Sequence, residues 1–131
     1  MRTALFLITH PGIASNLLEV AEAIIKKTSN NLALQEVPMD ARPEAMVEEV
    51  ESKINELDTT DGIIFITDIY GSTPSNIAQD LADKYAATLI SGVNLPMMIR
   101  LLNYRNEPET TLIDKAVDGG QKGVQETCLL Y

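Results

Sequence analysis

Ala4-Leu5-Phe6-Leu7-Ile8-Thr9-His10-Pro11-Gly12 is an uncharged, mostly apolar run that stops on the single histidine of the chain. A run of this length with no polar alternation reads as a strand buried on both faces, which belongs to a parallel sheet covered by helices. Pro11-Gly12 then turns the chain away into a helix. His10 is thereby expected at the carboxyl end of a central strand, where open α/β sheets bind their ligands.

The surrounding composition narrows the possibilities. With 131 residues the chain is expected to form one domain over residues 1–131. A formal charge of -9 speaks against nucleic acid or an anionic membrane as the main partner. A lone cysteine, Cys128, allows no internal disulfide, and Cys128 with His10 is too small a set for a structural zinc; no metal and no cofactor are expected. Neither a signal peptide nor a membrane-spanning stretch is apparent, so a soluble cytoplasmic protein is the default.

From His10 onward the chain alternates. Leu17, Leu18, Ala21, Ile24 and Ile25 fall at helical spacing, and Leu32 to Val37 reads as a more exposed edge strand closed by Pro38. Asp40 is expected to cap a helix from Pro43 to Leu57, with Met46, Val50, Ile54 and Leu57 inward and glutamates outward. Ile63 to Thr67 is a second continuous apolar run, and it ends on Asp68. Gly71-Ser72-Thr73-Pro74 then opens a helix, with Thr73 expected as its N-cap and Pro74 at its first position. Ala87 to Ile90 reads as a fourth strand, Asn94-Leu95-Pro96 opens a helix through Leu102, and a further helix ends near Gly119-Gly120 or Gly123. Glu126 to Tyr131 reads as a last strand.

Alternating strands and helices imply a parallel sheet with right-handed crossovers and helices on both faces. The commonest small solution is the flavodoxin-like order 2-1-3-4-5, whose switch point lies between strands 1 and 3. That order brings His10 beside Asp68 and aims the helix opened by Ser72, Thr73 and Pro74 at the same crevice. A carboxylate bonded to one imidazole nitrogen leaves the other free as a nucleophile, and a helix N-terminus holds phosphoryl oxygens without a basic side chain. Taken singly, a lone histidine is more often a cap or surface residue, and Asp68, Ser72 and Thr73 are ordinary capping types. Other chemistries lack their signatures: there is no G-x-S-x-G elbow for a Ser-His-Asp hydrolase, no P-loop, and no glycine-rich dinucleotide fingerprint.

Thr9-His10, Asp68-x-x-Gly71-x-Thr73-Pro74 with Asn76, Asp58-Thr59-Thr60-x-Gly62 and Gly92-Val93-Asn94-Leu95-Pro96-Met97 together resemble the enzyme IIA component of the mannose-fructose-sorbose class of the bacterial phosphotransferase system. The resemblance covers nearly the whole chain. It implies a three-layer αβα fold with a mainly parallel sheet of order 2-1-3-4 and an antiparallel C-terminal strand, which some members exchange within a homodimer. It implies further that His10 accepts a phosphoryl group from phospho-HPr and passes it to a IIB component, reaching the membrane only indirectly through a IIC/IID permease. Under it Asp68 pairs with His10 and Thr73 contacts phosphate through its hydroxyl; Gly71 and Ser72, at the same helix start, are expected to complete the phosphate-binding loop. Pro11 stands where the family commonly has glycine, and it removes a backbone N–H beside the histidine. A regulatory phosphoacceptor with no transport role would carry the same residues.

Overall fold

The computed structural model describes residues 2–128. Its four strands are β1 (Ala4–Thr9), β2 (Leu32–Glu36), β3 (Ile63–Thr67) and β4 (Thr88–Ser91). Five helices connect and follow them: α1 (Ile13–Ile25), α2 (Pro43–Ile54), α3 (Thr73–Lys84), α4 (Leu95–Asn103) and α5 (Glu109–Lys122). The strands pair in parallel in the order β2-β1-β3-β4. The two uncharged runs are the two central strands, and every one of their side chains is buried.

Successive side chains along β1 and β3 point to opposite faces, which gives the sheet two cores. On one face Leu5, Leu7, Ile64, Ile66 and Ile90 pack under α1, α4 and α5. On the other, Ala4, Phe6, Ile8, Ile63 and Phe65 pack under α2 and α3. Phe6 and Phe65 are register partners whose ring centroids lie 6.1 Å apart. The result is the expected three-layer arrangement.

Local departures have local causes. Proline at the first position of α2 fixes φ there and holds the preceding Arg42 extended, so Arg42, not Asp40, occupies the N-cap, and no side chain caps that helix. The same helix stops at Ile54, and the chain tightens through Glu56 N–H to Lys53 O and Leu57 N–H to Ile54 O, bonds of the three-residue kind. On α1 the buried line runs through Ala14 and Ala21. Ile13, Val20 and Ile24 sit about 80–120° round the helix from that line at 100° per residue. Ile24, expected inside, is therefore 52% exposed.

Of the two expected ends of α5, Gly123 is the one observed: it is the C-cap, and the helix runs through Gly119 and Gly120 to Lys122. Each helical glycine costs roughly 0.5–1 kcal/mol against alanine. A Cβ on Gly119 would strike the Arg100 side chain, and one on Gly120 would come within 2.9 Å of Met97. Close approach of α5 to α4 is what those two positions require. Beyond Gly123, residues 124–128 carry no strand, and the remainder of the strand expected over Glu126 to Tyr131 lies outside the described residues.

Candidate functional site

The turn after β1 is built around the buried Thr9 hydroxyl. Thr9 Oγ1 donates to the His10 carbonyl at 2.9 Å and accepts the Ala14 N–H at 3.0 Å, joining the end of the strand to the start of α1. Gly12, at φ 84°, supplies the left-handed residue that the turn needs. His10 is fixed by these bonds at the carboxyl end of the central strand β1, with 29% of its side chain exposed.

Ile8 is register partner to Thr67, so the residues that follow the two central strands emerge side by side. Asp68 Oδ2 accepts from the His10 backbone N–H at 3.0 Å and lies 2.7 Å from Nδ1 of the ring. Its other oxygen accepts from the Ile69 N–H at 3.0 Å and the Thr67 hydroxyl at 3.3 Å. Burial pushes the carboxyl up, but the His10 N–H, the imidazole and its own loop's N–H groups outweigh that, and its pKa falls below the ordinary 3.8. An ionised carboxylate can only accept, so Nδ1 carries the ring proton and Nε2 keeps a lone pair.

The start of α3 differs in detail from the sequence expectation. Ser72, not Thr73, is the N-cap: its hydroxyl accepts from the Ser75 N–H at 3.4 Å and donates to the Ile69 carbonyl at 2.8 Å. Pro74 has no N–H and Thr73 is the first helical residue, so the cap falls one position earlier. Thr73 is exposed and its hydroxyl has no hydrogen-bond partner among the described residues. Gly71, at φ 85°, has open space where a Cβ would stand. His10, Asp68, Gly71, Ser72 and Thr73 thus all lie at one end of the sheet, on the loops following β1 and β3.

Sequence reasoning overlooked Glu36, which ends β2 as register partner of Thr9. Its Oε2 accepts from the Ser15 hydroxyl at 2.7 Å and the Ser15 N–H at 3.0 Å. These bonds, with another from the Gly12 N–H, hold its pKa below the ordinary range. The N-terminus of α1, which has no cap of its own, is occupied by that carboxylate. At the start of α3 the Ser75 N–H is taken by the Ser72 hydroxyl, the Asn76 N–H by the Ser72 carbonyl, and Pro74 has none, which leaves the Thr73 N–H and hydroxyl for an added anion. The available signal was positional: Glu36 closes its strand as Asp68 follows β3.

Apolar side chains surround these loops at the surface. Ile69 is 59% and Tyr70 79% exposed directly after Asp68, and Met39, past the end of β2, is 85% exposed. Beside them an open groove of 420 Å³ runs along α1, lined by Ile13, Leu17, Val20, Val93 and Leu95.

The family described as EIIA-man, PTS system fructose IIA component, matches residues 4–117. The "PTS system mannose-specific EIIAB component" of Escherichia coli strain K12 is 32% identical over 128 residues, which cover 95% of this chain and 39% of that protein. The chain therefore spans about two fifths of that relative's length. In fold it is similar to the "Mannose/sorbose specific IIA subunit of phosphotransferase system from Enterococcus faecalis", with TM-score 0.86 and 20% identity over 100% of this chain and 98% of that one. It is similar also to the "phosphotransferase system component EIIA from Streptococcus agalactiae", with TM-score 0.81 and 19% identity over 95% and 96% of the two chains. By the match across most of its length, the chain belongs to the EIIA-man family, the IIA components of the mannose-fructose class of the phosphotransferase system.

Proposed function

We propose that the protein is a phosphoryl carrier in which His10 accepts phosphate from the phosphohistidine of HPr and passes it to a IIB component for sugar uptake. The observation that carries this reading is the 2.7 Å contact between Asp68 Oδ2 and His10 Nδ1, which selects the tautomer whose Nε2 is the nucleophile. Nε2 attacks phosphorus in line as the donor's P–N bond breaks, and the donor imidazole leaves with that electron pair. His10 then carries a phosphoryl group on Nε2, a proton on Nδ1 and a positive ring, which the Asp68 carboxylate balances. Transfer onward repeats the step with His10 as leaving group.

The phosphoryl oxygens are held by the Thr73 N–H at the positive end of the α3 dipole and by the unengaged hydroxyl of Thr73. Ser72 and Gly71 shape that loop: the first caps the helix, and the second supplies the positive φ. With no Arg or Lys in either loop, the helix start is the main counter-charge. Exposed Ile13, Ile69 and Tyr70 around the histidine suit a protein donor and acceptor better than a small free substrate. A second copy of the chain is the proposed partner at β4, which ends the sheet and leaves an edge to be paired.

The direct test is incorporation of label from phosphoenolpyruvate in the presence of enzyme I and HPr. Wild type is expected to take up acid-labile, base-stable phosphate, and His10→Ala to take up none while keeping its circular dichroism spectrum. Labelling that survives the substitution would remove His10 from the site.

A further inference from the structure

At the other end of the sheet, the turns that precede β1 and β2 meet the loop between α4 and α5. The six residues of β1 put roughly 20 Å between this end and His10, at about 3.3 Å per residue. Arg105, 3% exposed, lies at its centre and donates to the carbonyls of Thr3 at 2.8 Å, Asn30 at 3.1 Å and Asn31 at 3.3 Å. Its Nε is buried without a hydrogen-bond partner. A small pocket of 70 Å³ opens here, and Arg2, Lys27 and Arg105 line it together with Thr28, Ser29 and Asn106.

Three cations around one cavity, with no acidic side chain in its lining, are out of place in a chain of net charge -9. Carboxylates lie nearby but outside its lining: Glu22, which accepts the Ser29 N–H at 2.6 Å, beside Lys27, and Asp61, which accepts the Arg2 N–H at 3.0 Å, with Glu56 and Asp58 beside Arg2. The ion pairs among the described residues join other side chains. Arg2 reaches only the neutral Asn30 amide oxygen, at 2.6 Å. Burial and then the nearby Arg2 charge bring the Arg105 pKa down to about 10. A buried guanidinium held only by neutral carbonyl oxygens, as that of Arg105 is, is stabilised further by a bound anion.

We infer that the pocket formed by Arg2, Lys27 and Arg105 is an anion site for one tetrahedral oxyanion of the phosphate or sulfate class, separate from the histidine. At 70 Å³ the pocket suits a free oxyanion better than a nucleotide or a sugar phosphate. Occupancy would tie Arg2 and Lys27 to the loop that carries Arg105.

The test is a titration of the full chain with inorganic phosphate at constant ionic strength, following the Nε–Hε resonance of Arg105. Saturable movement is expected, with the same midpoint in a His10→Gln background, so that the two ends are told apart. Arg2 and Lys27 reach the surface, and the double variant Arg2→Gln, Lys27→Gln is expected to fold and to bind about tenfold more weakly or worse. Sulfate should compete, whereas glucose 6-phosphate should compete about tenfold less well. Movement that is linear and equal with chloride, saturable movement that survives the double substitution, or equal competition by the sugar phosphate would each overturn the assignment.

Discussion

Replacing Asp68 by asparagine keeps the shape of the side chain and removes its charge. Oδ2 faces two donors on His10 at 3.0 and 2.7 Å, and Oδ1 faces the Ile69 N–H at 3.0 Å. An amide has one oxygen, so either way its NH2 group opposes a backbone N–H, a conflict worth about 1–3 kcal/mol. With NH2 toward His10 the ring must also change tautomer, which places a proton on the attacking nitrogen. With oxygen toward His10 the tautomer survives, but the positive ring of the phosphorylated state loses a charge-assisted bond worth about 1.5–3 kcal/mol. Counting only the part felt as charge develops, about 1.5–3 kcal/mol, transfer should slow by about 10- to 150-fold. Single-turnover transfer from phospho-HPr with rapid quenching measures this, and the His10 ring nitrogen shifts report the tautomer. A folded Asp68→Asn protein within about threefold of the wild-type rate would refute the argument, because the carboxylate would then do no more than fasten the loop.

Four further outcomes follow from the same geometry. His10→Gln should abolish phosphate uptake with a melting temperature within about 2 °C of wild type, since the ring is partly exposed; calorimetry alongside the labelling assay checks both. Ser72→Ala should lower stability by about 1 kcal/mol in denaturant titrations through loss of a cap, whereas Thr73→Val should leave stability unchanged and slow transfer. Phe65→Ala, which removes a fully buried ring set between Phe6 and Tyr85, should cost about 3–5 kcal/mol in urea unfolding. Asp68 and Glu36 both have folded pKa values below their ordinary 3.8 and 4.5, so their contribution to stability is complete above those values and is lost as pH falls through the folded ones. The stability deficits of Asp68→Asn and Glu36→Gln should therefore be full near neutral pH and shrink in acid; a constant deficit would contradict the sign.

The central strands were legible because nothing polar interrupts Ala4 to Ile8 or Ile63 to Ile66, and a run with no exposed face has one place in an α/β sheet. Strand order came from the commonest arrangement of such a sheet and from the family resemblance, and with it the meeting of His10 and Asp68, 58 residues apart in sequence. Capping was less legible. Threonine, serine and aspartate are all good caps by type, and choosing between Ser72 and Thr73, or between Asp40 and Arg42, depended on how proline fixes the backbone around it. Apolar periodicity could not reveal that α1 has a wider apolar arc than the sheet covers, which is why Ile24 is outside. Arg105 and Glu36 escaped notice because a charged side chain is read as surface unless its partners are known. Arg105 is held by backbone carbonyls and Glu36 by the hydroxyl and N–H of Ser15, groups contributed from distant stretches of chain.

Asp68 holds His10 at two points, the main-chain nitrogen and the ring, through a single oxygen. A ring moored in this way cannot swing like an arm between stations. For the proposed relay, giver and receiver must each come to the same stationary atom, approach it from the same side, and vacate the berth before the other arrives. Turnover is then an alternation of visits, and an excess of the unphosphorylated giver should obstruct the receiver.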